Sequence, residues 1–141
     1  MLDTDFANQL HETPKIIAEQ VIWKPLPGDR YRIDVKVLAP ELNEVLRLKC
    51  FYGKTNHSFA ILYKNYPIRR YDYHPYHKSR STGEIFRGSH KHIWERHTQN
   101  DKAYVPNDIS PNWDINEQFM GFLSEENISL TGGYQNLMFS R

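Results

Sequence analysis

The chain has 141 residues, a formal net charge of +1, and apolar and aromatic fractions of 39% and 13%. That length fits one domain and is short for two, and so many Tyr, Phe and Trp at near-neutral charge exclude an intrinsically disordered chain. The single cysteine, Cys50, excludes an intramolecular disulfide and a cysteine-based zinc site, and no apolar run approaches the roughly 20 residues of a membrane helix.

Residues 2–20 read as a helical N-terminus. Phe6, Leu10, Ile17 and Val21 recur at near-helical spacing, and Asp3 or Thr4 is placed to cap the first turn. Pro14 divides the segment into two short helices, the second starting near Thr13. Val21 to Leu26 adds an edge strand, where Pro25 is tolerated. The strongest signal follows: Tyr31, Ile33, Val35 and Val37 alternate with Arg30, Arg32, Asp34 and Lys36, the pattern of a half-buried strand. Leu46, Leu48, Cys50 and Tyr52 alternate with Arg47, Lys49 and Phe51 in a second strand, and Phe59 to Tyr63 form a third. Pro40 to Asn43 and Gly53 to Asn56 supply the turns.

The sheet therefore occupies about residues 21–66, and Pro67 closes it. Residues 67–89 are rich in Tyr, His, Ser and Gly without a period and read as a long loop of the kind that carries function. His90 to Glu95 returns as a strand, and 107–113 is a turn region with Pro106 and Pro111. Asp114, with Glu117 three residues on, caps a C-terminal helix over about 114–127 whose apolar stripe is Phe119, Phe122 and Leu123. The tail from Ser129 is a final strand or a frayed end. The expected fold is one α+β domain over 1–141. It is an antiparallel meander of roughly four to six strands, with N- and C-terminal helices on one face.

Charge is unevenly spread. From Lys64 to Lys102 nine basic residues stand against four acidic ones, and from Ala103 to Arg141 one stands against five. The basic block suits RNA or another polyanion, or the acidic end of its own chain. Five of the seven histidines (His74, His77, His90, His92 and His97) lie in that block.

Metal-free ribonuclease chemistry uses most of this composition. Cleaving RNA through its own 2′-hydroxyl needs a base for that proton, an acid for the leaving 5′-oxygen and cations on the phosphate. His90 and His92, on one face of a strand, are the candidate acid–base pair, joined by His74 and His77 if the loop folds back. Arg69, Arg70, Arg87 and Lys91 are candidate phosphate ligands, with Tyr71, Tyr73 and Glu95 in support, and no cofactor is needed. The alternative is a metal protein, in which His90, His92, His74 and His77 hold zinc or another divalent transition metal. The spacing matches no established zinc motif. A purely structural or partner-binding role stands beside both. In it a lone histidine such as His11 or His57 is an ordinary strand or surface residue, Trp94 and Trp113 are core anchors, and Arg69-Arg70 pair with the acidic C-terminal helix.

Gly88-Ser89-His90-Lys91-His92-Ile93-Trp94-Glu95, then Lys102-Ala103-Tyr104, Phe122-Leu123 and Asn127-Ile128, carry a resemblance. With the Arg pair of the stretch from Tyr63 to Asp72, the chain over roughly residues 30–130 resembles an uncharacterised bacterial and phage family with a His-x-His strand. It is more distantly similar to TumE-like toxins of toxin–antitoxin systems. The resemblance implies mobile-element biology: a toxin acting on RNA, or a non-enzymatic inhibitor of a host or phage protein. An antitoxin or host protein would then be a partner, and the expected compartment is the cytoplasm, without membrane contact.

Overall fold

The computed structural model describes residues 2–78, 85–95, 100–104 and 114–138, with side chains described for 2–73 and 114–138. The chain runs α1 (Thr4–Glu12), β1 (Lys15–Ile17), β2 (Val21–Ile22), β3 (Lys24–Leu26), β4 (Arg30–Ala39), a 3₁₀ turn (Pro40–Leu42), β5 (Glu44–Tyr52) and β6 (His57–Tyr63). It continues through β7 (Tyr66–Lys78), β8 (Ile85–Glu95), β9 (Asn100–Tyr104), α2 (Ile115–Glu125), β10 (Ile128–Leu130) and β11 (Tyr134–Gln135).

Alternation in β4 sets the architecture. Ile33, Val35, Val37 and Ala39 are buried while Arg32, Asp34 and Lys36 are exposed, because successive strand residues face opposite sides. In register, Ile33 meets Cys50, Val35 meets Leu48 and Val37 meets Leu46. Cys50 and Leu48 then meet Phe59 and Ile61 of β6. Tyr63 and Tyr66 close the next hairpin through Lys64 and Asn65, both at positive φ, 48° and 70°. That is the type I′ geometry whose twist matches the flanking strands. The described sheet has nine strands in the order β10-β1-β4-β5-β6-β7-β8-β9, with β3 also on β4. It is antiparallel except where β10 joins β1, and β2 and β11 pair separately.

Both helices pack on one face, giving the expected α+β class. Phe119 and Phe122 of α2 meet the Phe59 ring at 5.7 and 5.5 Å, and Phe6 of α1 meets Tyr63 edge-on at 5.5 Å. As the spacing predicts, the Asp114 side chain caps α2 by accepting from the Glu117 N–H at 2.8 Å. No described helix is long and apolar enough to cross a membrane.

Two expectations are corrected. The N-terminal helix ends at Glu12 and is followed by strands β1 and β2, not by a second helix. Thr13 is extended (φ −64°, ψ 142°), as a residue before proline prefers. Lys15 then seals the helix end. Its ammonium donates to the carbonyls of Leu10, His11 and Thr13 at 2.7, 2.7 and 2.8 Å.

Residues 67–89, read as a loop from composition, contribute instead to the two arms of a hairpin. β7 and β8 pair from Arg69–Ile93 to Lys78–Ile85, and β9 extends the sheet beyond them. From Arg69 the period of two is present, but its core-facing side carries Arg69, Tyr71 and Tyr73, and the buried aliphatic Ile68 falls out of that period beside Arg69. Register shifts at Ile61/Leu62 and between His74 and His77 interrupt it further. Pro67 does not end the sheet but sits beside the first of these shifts, where a missing N–H is tolerated. The turn expected over 107–113 and its Trp113 lie outside the described residues.

Lys15 is 1% exposed, and burial brings its pKa down to about 8, the charge of Glu126 opposing and that of Arg69 adding to the fall. Lys15→Met should leave the three carbonyls unpaired and reduce stability by about 1–3 kcal/mol. An unchanged midpoint in urea unfolding would show that the cap contributes nothing.

Candidate nucleic-acid interface

With both described helices on one face, the other face carries no helix among the described residues. Its register runs in rows across five strands. One row is Arg32, Phe51, Ser58, Asp72 and His90, and the next is Asp34, Lys49, Ala60, Arg70 and His92. Paired residues on neighbouring strands share a face, so His90 and His92 take register positions on this open face.

Its described surface is cationic. Arg32, Lys36, Arg47, Lys49 and the half-buried Arg70 stand against the exposed Asp34 and the buried Asp72. Arg47 donates to Asp34, and Arg70 Nε donates to Asp72 Oδ2 at 2.7 Å. Arg32, Lys36 and Lys49 are in no ion pair among the described residues. The central strand β6 contributes the half-buried Ser58, Ala60 and Leu62 here, the first two of them small. Phe51 and Lys49 of β5 flank Ser58 and Ala60 on one side, and Arg70 of β7 flanks Ala60 on the other.

The structure divides the residues that the sequence grouped. Arg69 and Arg70 are on opposite faces. Arg69 is 8% exposed beneath α1, donating through Nη1 to the Ile68 carbonyl at 2.9 Å and through Nη2 to Asn8 Oδ1 at 3.3 Å. Tyr71 and Tyr73 share its helix-side face, Tyr71 fully buried. The side chains of His74, His77, Arg87, His90, Lys91, His92 and Glu95 are outside the described ones. Their backbones form β7 and β8, with His74 opposite Gly88, His77 opposite Phe86, His90 opposite Asp72, Lys91 opposite Tyr71, and His92 opposite Arg70. Lys91 thus alternates to the helix-side register, away from His90 and His92. Glu95 pairs with Asn100, and His97 lies outside the described residues.

Sequence reasoning passed over His57. It opens β6, whose alternate residues Phe59 and Ile61 are core, and that position was the available signal. His57 Nε2 lies 2.8 Å from Gln118 Oε1, which also accepts from the Tyr71 hydroxyl at 2.9 Å. An amide oxygen only accepts, so Nε2 carries the imidazole proton and Nδ1 the lone pair. Burial lowers the pKa of His57, while the Gln118 bond and the charge of Asp72 oppose the fall.

No protein-family model matches the chain, and comparison with curated proteins and with solved structures likewise gave no match. Function is therefore read from the site.

His57 should titrate below about 6.5, and Gln118→Leu should lower its midpoint further, as read from imidazole NMR signals. With a lowered folded pKa, the unfolded chain binds this proton first as pH falls, so stability declines below the unfolded value. A normal midpoint in the wild type would remove the buried, neutral imidazole.

Proposed function

We propose that the protein binds single-stranded RNA across the open face and cleaves it with a metal-independent, histidine-based mechanism, a toxin-like activity. One observation carries this reading. The register sets Phe51 and Lys49 on one side of the small Ser58 and Ala60 and Arg70 on the other, with Arg32 on the strand beyond Phe51. Sheet modules hold unpaired nucleic acid in this way, with cations along the backbone and rings under the bases. Arg32, Lys36 and Lys49 would take phosphates, and Phe51 would support a base.

The same register favours the chemistry. His90 and His92 are two residues apart on β8, opposite the carboxylate of Asp72 and the guanidinium of Arg70. Transphosphorylation needs two proton-transfer groups, and it gains from a carboxylate that orients an imidazole and a cation on the phosphate. Arg70 fits the last role. Arg69, held beneath α1, does not contact RNA in this arrangement.

Binding should be salt-dependent. For single strands the logarithm of affinity falls with that of salt by about 0.7 per phosphate contact. Replacing Arg32, Lys36 and Lys49 together by Ala should therefore reduce that slope by about 2. Fluorescence anisotropy with a short labelled RNA measures it, and an unchanged affinity and slope would sink the interface.

The His90→Ala/His92→Ala variant should still bind but cleave at least 100-fold more slowly, the scale of general acid–base catalysis. Wild-type products should carry cyclic phosphate ends, and a chelator should leave the rate unchanged. Induction in a bacterium should arrest growth only with the wild type. Intact RNA in both strains would remove the catalytic reading, and stoichiometric metal lost in the variant would replace it with the metal one.

A further inference from the structure

On the helix side, at one end of the sheet, a row of rings crosses three strands. Tyr52, His57 and Tyr73 are in register. The Tyr52 and His57 rings stack at 5.9 Å and 29°, and those of His57 and Tyr73 at 5.2 Å and 18°. A cleft of about 250 Å³ lies between this row, the turn from Gly53 to Asn56 and the first turn of α2, where Asp114, Ile115 and Gln118 line it. The turn is held by the Gly53 N–H donating to the Asn56 carbonyl at 2.9 Å.

We propose that this cleft binds a neutral planar heterocycle, an uncharged nucleobase. Three of its ten described lining residues, Tyr52, His57 and Tyr73, carry rings, which favour a flat partner. Its buried polar groups, His57 and Gln118, are uncharged amide and imidazole groups. Gln118 Oε1 already accepts from two donors, so the acceptor available on His57 is Nδ1. A ring N–H of the ligand can donate there, while the Asn56 side-chain amide and the Thr55 hydroxyl at the rim offer further donors and acceptors.

Charge and size exclude the competitors. The cation of the described lining is Lys54, whose side chain is 78% exposed and 3.9 Å from Asp29. Asp114 stands at the same rim, so an anion gains no enclosed partner. Drug-sized ligands occupy roughly 300–1,000 Å³, and this smaller cleft suits a single base. The proposal does not rest on the RNA reading, because the cleft is on the opposite face from Arg32, Lys36 and Lys49. The base could belong to a free nucleoside or to an RNA end, and the experiment separates the two.

Adenosine, guanosine, cytidine and uridine are titrated in turn into the full chain, and the His57 imidazole and Tyr73 ring signals are followed by NMR. At least one nucleoside should give saturable shifts, weakened about tenfold by Tyr73→Ala, as loss of a base–aromatic stack predicts. Nucleoside binding should survive Ala at Arg32, Lys36 and Lys49. A short RNA that shifts the same signals only in the presence of those cations marks an RNA base as the natural occupant. Equal shifts in that variant mark the free nucleoside. If no nucleoside gives saturable shifts in the wild type, the proposal is overturned. It is equally overturned if the shifts follow the open-face substitutions and ignore Tyr73→Ala.

Discussion

Strand alternation, held in register from β4 to β7, is the constraint on which everything else depends. Ile33, Cys50, Phe59 and Tyr71 form one continuous row under the helices, and Val35, Leu48 and Ile61 form the next. A slip of one residue would send this whole set to water, so burial pins the register. Once it is pinned, the other face is fixed too. Arg69 and Arg70 show how strictly this acts: adjacent in sequence, they end in opposite environments. Burying the Arg69 charge is unfavourable unless it is hydrogen-bonded, and the Ile68 carbonyl and Asn8 meet that need.

The two ends of the helix face are built from different chemistry. At the α1 end, charged groups tie the termini together. Glu126 is 1% exposed and accepts from His11 at 2.8 Å, Lys15 caps α1, and the Lys15 N–H donates to the Asn127 carbonyl at 2.8 Å. Gly132 then passes so close to β1 and its flank that a Cβ there would lie 2.3 Å from the Ala18 carbonyl oxygen. Only glycine fits that approach. At the α2 end the buried groups are neutral. Trp23 donates to the Tyr134 hydroxyl at 2.7 Å, and that hydroxyl donates to Asn116 at 2.6 Å. Burial pushes the Tyr134 pKa up to about 12, which keeps this network uncharged beside the His57 cleft.

What was legible in the sequence followed from aliphatic periodicity. β4 and β5 announce themselves because Ile, Val and Leu alternate with charges, and α2 because Asp114 and Glu117 frame its first turn. The hairpin of β7 and β8 was hidden because its core-facing positions are Arg69, Tyr71 and Tyr73, residues that score as polar or ambiguous. Their burial depends on partners far along the chain, Asn8 and Gln118. The pairing of His90 with His92 on one face needed only alternation and was readable. Which face they share depended on the β7–β8 register, which no local pattern encodes. His57 was illegible for a related reason: a single histidine gains meaning only from Gln118, 61 residues away.

Because alternation is uninterrupted at this end of β5, β6 and β7, the two surfaces meet in the same strands. Phe51 and Tyr52, Ser58 and His57, and Asp72 and Tyr73 are neighbours that face opposite sides. A base in the cleft and an RNA on the open face would therefore grip the same three short backbone segments from either side. Among the described residues the charge of Asp72 reaches His57 across the sheet, and the backbone of β5, β6 and β7 is the other route for coupling. The stacked row of Tyr52, His57 and Tyr73 spans those strands at the end of the sheet.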